Sequence, residues 1–228
     1  MKKYFFTLAV LLSSVFTLSA QDCKVFIPYT EGAKIVRANY NKKDKLTGKV
    51  SQEVTKVQKT DNGTTYQLKQ IVTDDKGKDQ AISELTFRCE NDNFYIDMNS
   101  MMPPEQSSTY NEASMKVSME DLEIPSNLKP GDQLKEGFIN FTTADPTPMA
   151  LSFKIKVFNR LVEATETITT PAGSFECIKI KEDVQTESII RFTVNTVSWY
   201  AEGIGVVRSE TYQKGDLIAY SILESWSK

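Results

Sequence analysis

The chain contains no histidine among its 228 residues. Histidine is the side chain that ordinarily changes charge near neutral pH, so its absence excludes Ser-His-Asp triads, Cys-His pairs and imidazole zinc sites. Acid-base work would fall to paired carboxylates, a lysine, a tyrosine or a cysteine. Cysteine is scarce, with three residues, and tryptophan scarcer, with two. Positive charge is in deficit as well: 27 basic against 30 acidic residues give a formal net charge of −3. That balance argues against nucleic acid and anionic lipid surfaces as partners. Long apolar runs are missing except at the extreme N-terminus, so no later segment predicts a membrane-spanning helix of about 20 residues.

The one apolar run reads as an address. Lys2 and Lys3 precede apolar stretches from Phe5 to Leu12 and Val15 to Leu18, and the small residues Ser19 and Ala20 close it. This is the pattern of a secretory signal peptide. Ser13, Ser14 and Thr17 break the span and disfavour a retained membrane anchor. The expectation is cleavage after Ala20, with residues 1–20 as leader and residues 21–228 as a single β domain in the periplasm or outside the cell. Cys23 follows Ala20, Gln21 and Asp22, so the leader does not fit a lipoprotein signal, in which a small residue directly precedes the cysteine. An oxidising compartment permits disulfides, and an odd cysteine count leaves at least one thiol free. Cys23 with Cys89 is the favoured pair, because that bond would pin a terminus that otherwise frays. Cys177, in the alternating Phe175-Glu176-Cys177-Ile178-Lys179-Ile180, reads as a buried thiol. Three unpaired buried thiols are the alternative.

What the chain has in abundance is period-two alternation. Leu85, Phe87 and Cys89 share one face, as do Phe94, Ile96 and Met98 after the polar Asn91-Asp92-Asn93. Met115, Val117 and Met119 alternate with polar residues, and so do Leu151, Phe153, Ile155 and Val157. These predict half-buried antiparallel strands. Asp61-Asn62-Gly63, Asp75-Lys76-Gly77-Lys78, Pro130-Gly131, Pro171-Ala172-Gly173 and Lys214-Gly215-Asp216 supply the turns, for about ten strands. Between Val194 and Val197 the apolar parity changes, which predicts a bulge bending the strand into Trp199. The predicted class is all-β, a strongly curved antiparallel sheet forming a half-barrel or partial barrel. From Met101 to Ser114 the alternation stops, and Pro103-Pro104 fit a loop or one short helix beginning at the prolines. Tyr40–Gly48 faintly echoes Tyr212–Tyr220, each a strand end, a lysine-bearing turn and a new strand, as turn chemistry alone would produce.

The early Cys23-Lys24-Val25-Phe26-Ile27-Pro28-Tyr29-Thr30-Glu31-Gly32, the central Phe94-Tyr95-Ile96-Asp97-Met98 and Ile124-Pro125-Ser126-Asn127-Leu128, and the hairpins Thr169–Ile180 and Trp199–Glu210 stand together in this chain. In combination they resemble a family of secreted Gram-negative proteins of unknown function, grouped by similarity to a domain of unknown function and known as TapB-like. The resemblance covers nearly all of the chain after the leader. It implies a strongly curved antiparallel sheet similar to that of periplasmic lipoprotein carriers, whose concave face holds acyl chains. No catalytic residues are known for the family, so the resemblance implies none, and it informs fold far more than function.

Carboxylates occur in pairs at Asp74-Asp75, Glu120-Asp121 and Glu182-Asp183, and at Glu163 with Glu166. Strand residues an odd number apart point to opposite faces, so these pairs read as solvated turns and outer faces rather than as an acid and base sharing one site. Asp74-Asp75-Lys76-Gly77-Lys78-Asp79 has acids and a glycine, yet lysines stand where a calcium loop needs oxygen ligands. Neither a metal nor a cofactor is expected.

Methionine is unevenly spread: apart from Met1, every one lies between positions 98 and 149. Thioethers adapt to irregular apolar shapes and select Cu(I) among metals, so core filling, a lid over an apolar ligand and a soft copper site all fit Met98, Met101 and Met102. Of the adjacent Trp199 and Tyr200, one should face the core and the other the surface or a cavity wall. The reading adopted is a non-catalytic, secreted binding protein that holds a lipid or other apolar molecule. Its concave face is lined by Phe94, Ile96, Met98, Met115, Val117, Met119 and Trp199, with Met101 and Met102 as a flap. The alternative is an envelope interaction module whose sheet edges pair with another protein by strand addition.

Overall fold

The computed structural model describes residues 23–101, 115–143, 152–188 and 190–228. The leader, the short helix expected at Pro103-Pro104, Met102 and Met149 lie outside the described residues. Alternating β-branched and aromatic residues over long proline-free stretches build the strands β1 (Lys34–Asn41), β2 (Leu46–Thr60), β3 (Gly63–Asp74), β4 (Asp79–Glu90) and β5 (Asn93–Ile96). After a 3₁₀ turn at Met98–Met101 come β6 (Met115–Glu120), β7 (Leu122–Pro125), β8 (Gln133–Leu134) and β9 (Gly137–Thr143). The long strands β10 (Ser152–Thr170) and β11 (Gly173–Glu187) precede β12 (Arg191–Ala201), β13 (Gly205–Gln213) and β14 (Asp216–Ser227).

The fourteen strands of the described residues belong to one antiparallel sheet, ordered β6-β9-β10-β11-β12-β13-β14-β1-β2-β3-β4-β5-β7, with β8 pairing β10. The first and last strands of the chain, β1 and β14, lie side by side. The two end strands of the sheet, β6 and β7, are neighbours in sequence with Asp121 alone between them. One residue thus carries the chain from one edge of the sheet to the other, and the sheet curls into a nearly closed barrel.

Charge-assisted bonds hold that seam. Arg88 Nη2 donates to Asp121 Oδ2 at 2.7 Å, and the Met98 backbone N–H donates to Asp121 Oδ1 at 3.1 Å. Arg160 of β10, its side chain 1% exposed, donates from Nε to Glu182 Oε2 at 3.1 Å. Its Nη1 reaches the carbonyls of Glu123 at 3.0 Å and Lys135 at 2.8 Å, so one guanidinium ties β10 to β7. Close approach also matters: a Cβ on Gly137, at the start of β9, would lie 2.6 Å from Leu122 Cδ2.

Two details of the strands depart from, or add to, the alternation pattern. β12 pairs with β11 from Val194 to Val197 and with β13 from Asn195 to Val197 without a register shift, so no bulge lies there; the register shifts instead between Trp199 and Tyr200, against β13. The parity of β12 blurs because both of its faces are covered, Tyr200 joining one apolar cluster and Trp199 with Ala201 another. The two echoing hairpin turns abut, since β1 pairs β14: Tyr40 stacks on Tyr220 with ring centroids 5.0 Å apart, and Tyr220 Oη donates to Asp44 Oδ1 at 2.9 Å.

Residues 23–27 form no strand, yet Cys23, Val25, Phe26 and Ile27 are all buried. This strap is held at one end by a disulfide from Cys23 to Cys89 of β4. The Lys24 N–H donates to Ser126 Oγ at 2.9 Å, and the Val25 carbonyl accepts from the Gly203 N–H at 2.7 Å. Gly203 has φ +72°, in the left-handed region that favours glycine, and a Cβ there would lie 2.9 Å from the Tyr29 ring. Phe26 crosses the lumen, meeting Phe94 edge-on at 5.9 Å and Tyr200 at 6.0 Å.

Candidate functional site

Above the strap lies a cavity of about 510 Å³. Pockets that enclose small molecules fall in this size range. Phe26 and Ile27 form its floor, Val72, Leu85, Phe87, Phe94 and Ile96 one apolar wall, and Ile35, Tyr200 and Val206 the wall facing it. The barrel supplies these side chains by strand periodicity: alternate residues of β3 and β4 turn inward, and the curl brings β1, β12 and β13 opposite them.

A polar row interrupts the apolar lining. Gln52, Gln70 and Ser83 are successive cross-strand partners on β2, β3 and β4. Gln52 Nε2 donates to Gln70 Oε1 at 2.7 Å and Gln70 Nε2 to Ser83 Oγ at 3.3 Å, which satisfies amides that would be costly to bury alone. Arg37 of β1 joins them in the cavity wall. A second cavity of about 490 Å³, lined by Asn39, Thr47, Ser198, Ser209, Thr211 and Ser221, continues from the first; Arg37 and Val206 line both.

The electrostatics of the lumen are set by burial. Arg37 is drawn down from the ordinary arginine value to about 10 by desolvation, opposed by the Tyr200 hydroxyl. Tyr200 is raised, chiefly by burial and then by the Glu182 carboxylate. Burial likewise raises Glu182, against the pull of Arg160. Adjacent acids take up other work: Asp183 accepts from Asn159 Nδ2, Glu163 pairs with Lys179 Nζ at 3.2 Å, and Asp74 Oδ1 caps its own turn by accepting from the N–H groups of Lys76 and Lys78. No group of three or more metal-ligating acids or cysteines occurs among the described residues.

The cavity gathers Phe94 and Ile96 from the residues that the alternation pattern singles out. Met98 is fully buried beside it, in a cluster with Leu122, Ile139, Phe141 and Val157. Met101 closes the 3₁₀ turn and Met115 opens β6, whereas Met102 lies outside the described residues. Val117 and Met119 share a face with their partners Phe141 and Ile139 but stand at the edge of the sheet, 47% and 46% exposed. Trp199 faces away from Tyr200: its Nε1 donates to Glu166 Oε1 at 2.6 Å, and Lys179 Nζ and the Arg208 guanidinium stand over its ring at 5.3 and 5.8 Å. Tyr200 is therefore the cavity-wall member of that aromatic pair.

Sequence reasoning missed Phe26, Arg37, Gln52, Gln70, Ser83 and Tyr200. A signal existed for four of them. Val50-Gln52-Val54, Leu68-Gln70-Val72 and Ala81-Ser83-Leu85 each carry one polar residue at an inward parity, and Ile35-Arg37 does the same.

Comparison with known proteins agrees with this architecture. The chain is 28% identical to a Bacteroides fragilis protein described as exported and of YmcC-like fold, with a TM-score of 0.72 over 90% of this chain and 100% of that one. It is 26% identical to a Parabacteroides distasonis protein described as a lipoprotein, with a TM-score of 0.73 over 91% of this chain and 100% of that one. Both are consistent with a periplasmic or extracellular location. A comparison with curated proteins finds no match. Among the described residues no helix is long and apolar enough to cross a membrane. Residues 30–223 match the DUF3108-like family, and the chain belongs to it.

Proposed function

We propose that this protein is an exported, non-catalytic binding protein that sequesters an apolar or amphipathic molecule inside its barrel. The observation that carries the reading is the cavity of about 510 Å³, walled by aliphatic and aromatic side chains and floored by a disulfide-tethered strap. A concave, largely apolar space of this size with a few polar groups in its wall is the usual form of a small-molecule site. The mechanism is burial: each CH₂ withdrawn from water contributes about 0.8 kcal/mol, offset by the cost of ordering the ligand. Two aromatic rings, Phe87 and Phe94, stack at 5.6 Å and give one wall a flat, rigid surface.

Native mass spectrometry of the mature protein, purified from an envelope fraction without detergent and then extracted with solvent, tests this. An added mass that the solvent extract identifies as a lipid or other apolar molecule is expected. A clean apo mass that also fails to take up added lipids would overturn it. A second reading, strand addition at a sheet edge, is favoured by β6, whose Val117 and Met119 are open to solvent. That reading expects a stable partner, lost on substitution in β6, with indifference to lipid.

A further inference from the structure

The chain has five arginines. Arg88, Arg160, Arg191 and Arg208 each pair with a carboxylate at 3.2 Å or closer. Among the described residues Arg37 pairs with none; the ionisable group that acts on it is the neutral hydroxyl of Tyr200. A guanidinium set into a barrel wall with no anion is costly, because desolvation of a charge is repaid only by a partner. Its surroundings point the same way. On one side lies the apolar cavity ending at Phe26, Phe87 and Phe94. On the other lies the second cavity, where the Asn39 amide and several serine and threonine hydroxyls stand among Val50, Val206 and Ala219, and Arg37 stands in the wall of both. Gln52, diagonal to it on the neighbouring strand and opposite Ile35, carries the polar row across β2 to β4.

We propose that Arg37 anchors the anionic headgroup of a single-chain amphiphile, whose tail fills the apolar cavity toward Phe26. The proposal rests on the binding function above and names its ligand class: an acyl or alkyl chain ending in a carboxylate or phosphate. Arg37 supplies a planar fork of donors suited to either oxyanion. The second cavity, with its serine and threonine hydroxyls, leaves room for further polar substituents of the head.

Calorimetric titration of the delipidated protein with hexadecanoate, hexadecyl phosphate and hexadecanol tests it, in wild type, Arg37→Met and Arg37→Lys. The anions should bind wild type more tightly than the alcohol. Arg37→Met should weaken the anions by on the order of ten- to a hundredfold and leave the alcohol unchanged, the size expected for losing a charge-assisted hydrogen bond. Arg37→Lys should restore part of the difference, and the stronger of the two anions identifies the head. Arg37→Met should also melt no lower than wild type when ligand-free, since an unpaired, half-buried cation in the cavity wall is replaced by an apolar chain of similar length. Equal binding of acid and alcohol to wild type, or a lower melting temperature with unchanged anion affinity in Arg37→Met, would overturn the anchor and leave the cavity reading standing. If none of the three probes binds wild type, both fall.

Discussion

The Arg160 guanidinium on β10 donates to the Glu123 carbonyl on β7 at 3.0 Å, joining the third strand from one end of the sheet to the strand at the other end. The same side chain is paired with buried Glu182. Closure of the barrel thus depends on a charge that cannot be removed without stranding another. Arg160→Met should destabilise the protein by roughly 3–5 kcal/mol, the range for removing one partner of a buried pair. The double variant with Glu182→Leu should recover much of the loss. Urea unfolding midpoints measure both, and a single variant within about 1 kcal/mol of wild type would show that the seam holds without this contact.

The strap is the second dependence. Replacing Cys23 and Cys89 with alanine should cost about 2–5 kcal/mol, as for other native disulfides in secreted domains. The loss should be local at first: the Gly203 amide, bonded to the Val25 carbonyl, should exchange with solvent faster because the floor of the cavity is no longer tethered. Unchanged protection at Gly203 would mean that packing of Phe26 alone keeps the strap in place.

Cys177 is 1% exposed and donates to the Phe175 carbonyl, and burial pushes its thiol up to about 11. It should be unreactive to Ellman's reagent in the native protein at pH 8 and reactive once unfolded. An unfolded thiol titrates near 8.5, so the folded protein holds this proton more tightly. The resulting stability is fully present below about pH 8.5 and is lost as pH rises through about 11. Comparison of wild type with Cys177→Val over that window should show the wild type losing more stability.

Filling the cavity separates its lining from the edge residues. Ala81→Phe, at a position lining the space with Leu85 and Phe94, should abolish uptake of apolar ligand while costing no more than about 3 kcal/mol of stability. Val117→Lys and Met119→Lys, at exposed positions on β6, should change stability by less than about 0.5 kcal/mol and leave uptake intact. Loss of uptake in the β6 variants, with none in Ala81→Phe, would move the ligand to the edge of the sheet. Retention assays with a fluorescent fatty acid distinguish the two.

Alternation and turn chemistry determine much about this protein by themselves. Period-two runs such as Leu85-Phe87-Cys89 and turns such as Asp61-Asn62-Gly63 are local properties, and they dictate antiparallel strands whatever the partner. The basic and apolar N-terminal run likewise supports the expectation of a leader without reference to a fold. Which strands close the sheet is not local. Asp121 separates two strands that pair at opposite ends, and no periodicity in Met115–Pro125 distinguishes a barrel seam from an ordinary hairpin. The same limit applies to the site. Parity assigns Trp199 and Tyr200 to opposite faces but not to inside and outside, because β12 is covered on both. It marks Gln52, Gln70 and Ser83 as polar residues at inward positions without bringing them into one row. Only the curl of the sheet set those three side by side, placed Arg37 beyond the reach of any carboxylate among the described residues, and left a space that the strap closes but does not fill. The physical reason is that alternation fixes the direction of each side chain along its own strand, while a cavity depends on what lies across the lumen, which is decided by strand order and curvature.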